Sequence, residues 1–325
     1  MTDAQEAAST PLPQFPIEIA PPDISPWLAG NTGIPGVTCF DSGRPGPHLV
    51  LLALTHGNEF AGAIALDTLL RGGIRPLRGR LSIAFANLDA FARFDAGNPT
   101  TSRFVDEDLN RLWDVGVLDG PRQSSELARA RALRPLIESA DVLVDLHSML
   151  WPSDPLILCG LTRQGRALGL AIGVPPLIVA DGGHLGGRRL IDYRRFAADA
   201  PGPAAVLVEA GQHWRQSTAR TSLDAVTAAL HHLGMVDPAA LPPPPASPRR
   251  RFAAVTQVVT ACTASFSFVR EFHGGEVIGR RNTVIAMDGD TEIRTPHDDC
   301  MMIMPSLRPS RGHTAVRLAR VEAAG

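Results

Sequence analysis

The stretch "HLVLLALTHGNEFAGAIALDTLLRGG", residues 48–73, sets the frame for the rest of the chain. Residues 48–54 are a short apolar run of the kind found in strands buried on both faces. From Glu59 the apolar residues recur at helical spacing, and Gly72–Gly73 stops the helix. Between strand and helix lies "THGNE" (55–59), which sets His56 and Glu59 three residues apart. In an open α/β sheet the ligand crevice lies beyond the carboxyl ends of the strands, so a polar turn at this point is read first for function.

The same alternation continues outward. "RLSIAFAN" (80–87) reads as a strand, and residues 88–121, rich in Gly, Pro, Asn and Asp with little periodicity, as an ordered functional loop. A helix over 124–140 runs into the strand "DVLVDLH" (141–147). A short strand "LILCG" (156–160), helical stretches near 163–173 and 185–199, the strand "AAVLVEAG" (204–211) and a helix over 218–234 complete an α/β domain spanning 21–236. A polar, proline-rich tail (1–20) precedes it. Four consecutive prolines mark residues 237–250 as an extended linker. Residues 251–325, rich in β-branched residues and turn glycines without helical period, are expected to form a smaller C-terminal all-β domain.

Composition narrows the function classes. The 325 residues hold 31 basic and 33 acidic side chains, so no basic surface draws nucleic acid or anionic membrane, and small-molecule partners are expected. Lysine is absent: every strongly basic residue is arginine, which excludes Schiff-base, P-loop and biotinyl- or lipoyl-carrier chemistry. Cys39, Cys159, Cys262 and Cys300 are scattered and form no CxxC, as in a reduced cytosolic protein. The first residues carry no apolar signal core, and no later run approaches the roughly 20 apolar residues of a membrane span. A cytoplasmic setting is expected.

Three strand ends carry polar groups: "THGNE", "DLHS" after the strand at 141–147, and "EAG" after 204–208. If His56, Glu59 and His147 converge, two imidazoles and one carboxylate leave a fourth position for water, the ligand set of a catalytic zinc site; a structural zinc uses cysteines instead. Asp145, two residues before His147, shares its strand face and is suited to orient the imidazole. The plainer alternative needs no metal: a turn histidine, and a glutamate favoured by the dipole of a helix N-terminus. Each motif alone is weak, but at two ends of one sheet they reinforce each other.

"THGNE", "RFVDEDLNR" (103–111), "VDLHS" and "VEAG", in this order, resemble the succinylglutamate desuccinylase/aspartoacylase family, zinc-dependent relatives of the metallocarboxypeptidases. The likeness covers about residues 48–235 and weakens beyond. It implies a mixed sheet covered by helices, zinc-carboxypeptidase-like, and one Zn2+ per chain held by His56, Glu59 and His147. It makes Glu209 the catalytic glutamate and gives Arg103, Asn110 and Arg111 to the substrate, Arg103 at the developing oxyanion. Asp108 supports an arginine. The implied substrate is a small anionic N-acyl amino acid, and the implied reaction is hydrolysis of its amide bond.

Aspartoacylase adds an arginine before the catalytic glutamate and a tyrosine from the C-terminal domain. This chain has one tyrosine, Tyr193, before the linker; Arg188, Arg189, Arg194 and Arg195 stand upstream of Glu209. A carboxypeptidase acting on peptides is the second reading. A C-terminal domain packed over the cleft favours small substrates instead. A third reading, a non-catalytic binding relative, sits badly with retention of every ligand and of Glu209. His213 is taken as a turn residue near Glu209, His184 as part of a glycine-rich substrate loop, and His231 and His232 as surface residues. Self-association into a homo-oligomer is left open.

Overall fold

The first strands, β1 (Val37–Asp41), β2 (His48–Ala53) and β3 (Arg80–Phe85), show how the core is built. Every residue of β2 is buried, as its unbroken apolar run requires when helices cover both faces. β3 lies parallel to β2, while β1 runs antiparallel along the edge. The computed structural model describes residues 15–183, 186–198, 201–244 and 249–322. The expected tail (1–20) and linker (237–250) therefore fall partly outside the described residues, and His184 falls outside them.

Helices alternate with the remaining strands. After β2 comes α1 (Ala61–Arg71), and after β3 a short α2 (Leu88–Phe91). Then follow α3 (Val115–Asp119), α4 (Ser125–Ser139), β4 (Val142–Met149), β5 (Leu156–Leu158), α5 (Arg163–Ile172) and β6 (Leu177–Ala180). β7 (Ala204–Gln212) and α6 (Gln216–His232) close this part. Side-chain oxygens mark the helix starts: Ser124 accepts from Leu127 N–H ahead of α4, and Thr162 from Gly165 N–H ahead of α5.

β2, β3, β4 and β7 are mutually parallel, so their carboxyl ends share one edge. β5 enters antiparallel to β7 and parallel to β6. The C-terminal region is β throughout: β8 (Arg251–Thr260), β9 (Ser267–Phe268), β10 (Val277–Ile278), β11 (Val284–Asp288), β12 (Thr291–Arg294), β13 (Cys300–Ile303) and β14 (Thr314–Glu322). β8, β14, β13 and β10 pair antiparallel, and β8 also pairs parallel with β6. Among the described residues one mixed sheet of eleven strands results, with a second sheet of three, β12–β11–β9.

One core face packs α1, α5 and α6 through residues such as Leu66, Leu168 and Val226; the other packs α3 and α4 through Leu118, Leu127 and Leu133. The C-terminal strands have a smaller core around Phe266, Ile285 and Met302. The helical stretch expected over 185–199 is absent from the described residues. Only one 3-10 turn forms there, Leu190–Asp192, because Asn110 Oδ1 takes Leu190 N–H and Arg188 pairs with Leu112 and Trp113.

Candidate metal centre and substrate cavity

"THGNE" turns sharply after β2 and nests against residues 90–103. A Cβ on Gly57 would stand 2.4 Å from the Ser102 carbonyl oxygen and from the Ala90 carbonyl carbon, so only glycine fits. Gly57 N–H donates to the Arg103 carbonyl. His56 and Glu59 thereby face the end of β4, where His147 stands. One candidate ligand atom from each of His56, Glu59 and His147 lies within 4.8 Å of the others, and all three residues are buried.

The orientations are those of ligands. His56 Nδ1 stands 2.8 Å from Glu59 Oε1, and His147 Nδ1 3.1 Å from Glu59 Oε2. Each opposite ring nitrogen faces a second carboxylate: His56 Nε2 is 2.8 Å from Asp108 Oδ1, and His147 Nε2 3.0 Å from Asp145 Oδ2. At His147 an Nε2–H donated to Asp145 turns the Nδ1 lone pair inward, the arrangement in which imidazoles bind a divalent cation, whereas His56 Nε2 also stands 2.9 Å from Arg103 Nη2. Burial alone raises the Glu59 carboxyl, yet the two imidazoles hold it well below the usual carboxylate range. Burial likewise opposes charge on His147, but Asp145 and Glu59 raise its pKa well above the ordinary histidine value.

Three carboxylates, Glu59, Asp108 and Asp145, face the two imidazoles, and both Nδ1 atoms are directed at one of them, Glu59, in a group that could hold a metal ion. The unmet hydrogen-bonding capacity points the same way. Among the described residues seven buried side-chain atoms make no hydrogen bond; Asn58 Oδ1, Ser153 Oγ and Glu209 Oε2 belong to residues lining one cavity, as does His56 Nδ1, which is close to Glu59 Oε1 without hydrogen-bond geometry. The donor set of two imidazole nitrogens and one carboxylate suits Zn2+ with an open position.

That cavity has a volume of about 700 Å³ and is walled by His56, Glu59, Arg103, Asn110, Arg111, His147, Glu209 and others. The expected site residues from the two halves of the α/β part are therefore together. Glu209, on β7, is the direct cross-strand partner of His147. Burial pushes its carboxyl up to about 8, against the pull of His147.

Arg103 donates to Glu59 Oε1 at 2.9 Å and to Asp108 Oδ2 at 3.1 Å. Asp108 also caps the 3-10 turn Leu109–Arg111 by accepting Asn110 N–H, and its carboxyl is held far below the usual range, against burial, by His56 and Arg103. The expectation that Asp108 fixes an arginine thus has geometric support, and its contact with His56 is a second task the sequence did not suggest. Arg111 Nη1 donates to the Asn110 carbonyl.

Of the four arginines upstream of Glu209, Arg189 lines the cavity, and it is buried between Asp181 and Asp192. Arg188 pairs with Asp114, Arg194 with Glu138, and Arg195 donates to the Ala140 carbonyl. Tyr193 lies in the core and donates to Glu138. His213, taken as a turn residue, is buried in the cavity wall, its Nδ1 2.8 Å from Ser148 Oγ; burial lowers its pKa to about 4. The C-terminal region supplies a further wall, with Met304, Ser306, Arg308, His313 and Arg317 among its residues. Arg317 was not anticipated, because nothing in "TAVRLARVE" separates one strand arginine from the next; in the structure its Nε donates to buried Asp181 at 2.9 Å.

A mixed sheet with a His–Glu–His cluster and a neighbouring glutamate at its carboxyl edge defines an α/β protein with a candidate metal centre. Residues 45–168 match the family model of the succinylglutamate desuccinylase/aspartoacylase catalytic domain, and this segment holds His56, Glu59, Arg103, Asn110, Arg111 and His147. The fold is shared with a succinylglutamate desuccinylase from Vibrio parahaemolyticus, 18% identical, with a TM-score of 0.63 over 88% of this chain and 86% of that one. A succinylglutamate desuccinylase/aspartoacylase from Rhodobacter sphaeroides is 20% identical, with a TM-score of 0.63 over 88% of each chain. The product-bound ectoine utilization protein of Ruegeria pomeroyi is 17% identical, with a TM-score of 0.61 over 88% of each chain. No curated protein matches the chain. The family model matches the segment that carries three of the four motifs, and the solved structures share the fold.

Proposed function

We propose that this chain is a zinc-dependent deacylase that hydrolyses the amide bond of a small anionic N-acyl amino acid. The carrying observation is the meeting of His56, Glu59 and His147 beside Glu209 in one cavity. The desuccinylase and acylase names of the family and of the proteins sharing the fold support the reaction class.

His56 Nδ1, His147 Nδ1 and a Glu59 oxygen would hold the ion. A divalent zinc there supplies Lewis acidity and brings the pKa of water towards neutrality. Glu209 takes the proton from the attacking water as the new C–O bond forms and returns it to the departing nitrogen as the C–N bond breaks. Arg103, with two of its five N–H bonds engaged by Glu59 and Asp108, donates to the oxygen on which negative charge builds, a contribution of about 3 kcal/mol. Asn110 and Arg111 grip the substrate carboxylate, the guanidinium matching its two oxygens.

The wall that the C-terminal region supplies favours a small substrate over a peptide. The four cysteines are free thiols, and among the described residues no helix is long and apolar enough to cross a membrane; both support the cytoplasmic setting we propose. Hydrolysis of a panel of N-acetyl and N-succinyl amino acids, with and without prior metal removal by a chelator, tests the reading. Glu209→Gln is expected to lower kcat by about 10²–10⁴-fold while metal content stays at one per chain. A fully active Glu209→Gln enzyme removes Glu209 from the mechanism.

A further inference from the structure

Glu126 is a buried acid to which the reaction gives no task. Glu126, in the first turn of α4, has no solvent exposure. Its Oε1 accepts from Val105 N–H at 2.6 Å and from Asn87 Nδ2 at 3.0 Å, and its Oε2 from Asp106 N–H at 3.0 Å and Glu107 N–H at 3.2 Å. All four donors are neutral. Burial opposes its ionisation, yet these donors keep the carboxyl below its ordinary pKa.

Each oxygen receives two donors, which only a carboxylate accommodates. An amide of the same shape accepts at one end alone and loses two bonds whichever way it is turned. The loop answers in kind: Asp106 Oδ2 accepts Ser125 N–H at 2.7 Å, and Glu107 Oε1 accepts Ser124 Oγ–H at 2.5 Å. Helix start and loop cap each other. Asn87, which caps α2, ties the end of β3 into the same carboxylate.

The three consecutive peptide donors, 105–107, sit between Arg103 and Asp108. Those two side chains bond to each other and reach Glu59 and His56. Fixing the segment between them fixes the pair. We infer that Glu126 is a positioning residue whose carboxylate clamps residues 105–107 so that Arg103 meets the reacting oxygen in a preset orientation. The inference rests on the role given to Arg103 above; the clamp itself is measurable without any substrate.

The test uses the full-length Glu126→Gln chain. Hydrogen exchange read by mass spectrometry is expected to quicken about tenfold or more in peptides covering 103–111 and to stay unchanged in β2, β4 and β7. On the best substrate of the panel, E126Q is expected to lower kcat/KM about 10–100-fold, and to cost less than about threefold more when Arg103 is already alanine. Unchanged exchange over 103–111, or a full loss repeated in the Arg103→Ala background, overturns the inference. Glu126→Asp, which keeps the charge one methylene short, is read in the same two ways if the glutamine variant does not fold. A wild-type chain inactive on the whole panel sinks the deacylase reading and leaves the exchange measurement to decide the clamp.

Discussion

At the scale of single residues, His147 shows how a side chain proposed to bind a metal is held by its neighbours. Asp145 occupies Nε2 and itself receives the Thr55 hydroxyl at 3.0 Å, so the ring cannot turn without breaking a buried pair. Asp145→Asn is expected to weaken zinc binding about 10–100-fold, read by competition with a chromophoric chelator, with the fold intact. An affinity equal to wild type would show that the aspartate only packs. This residue was legible in the sequence because strand geometry puts positions two apart on one face. Ser148 and His213 were not, since their pairing crosses from β4 to the end of β7 and depends on a side-chain contact that no local pattern encodes. Glu126 was equally hidden: it reads as an ordinary acidic residue in a helix's first turn, and its partners are peptide groups about twenty positions upstream.

Among the elements, those built by burial were readable and those built by tertiary pairing were not. The apolar runs at 48–54, 80–87, 141–147 and 204–211 became β2, β3, β4 and β7, with ends shifted by one or two residues. β1 carries Thr, Cys and Asp on an exposed edge and gave no apolar run. β6, four residues long, follows directly on Pro175–Pro176 and was hidden by them. The segment from Gly186 to Asp192 is held instead by the loop carrying Asn110 and Arg111, and one of its glycines serves close approach: a Cβ on Gly187, at φ +141°, would stand 2.2 Å from the Arg111 carbonyl oxygen. The "THGNE" turn obeys the same logic. Gly57→Ala must push residues 90 and 102 apart, and is expected to cost about 1–3 kcal/mol in denaturant unfolding and to reduce zinc affinity. Stability and affinity equal to wild type would show that the turn has slack.

For the molecule as a whole, the proline run does not interrupt the sheet: β8 resumes hydrogen bonding beside β6 immediately after it. One buried carboxylate reinforces that seam. Asp181 Oδ2 accepts from Arg189 Nη1 at 2.7 Å and from Arg317 Nε at 2.9 Å, joining an α/β residue and a β14 residue beneath the cavity floor. Asp181→Ala leaves two buried guanidiniums without this anion and is expected to destabilise the chain by about 3–5 kcal/mol, measured by denaturant unfolding. A loss below about 1 kcal/mol would show that the seam does not depend on this acid.

The β6–β8 pairing has one more consequence. Cut away everything from Arg251 onward and the outer rim of β6 becomes a bare row of peptide donors and acceptors, an invitation to add a strand from another molecule. A fragment ending at the prolines would keep His56, Glu59 and His147 but gain a sticky margin, so its natural fate is self-association in the test tube rather than catalysis with a wider mouth.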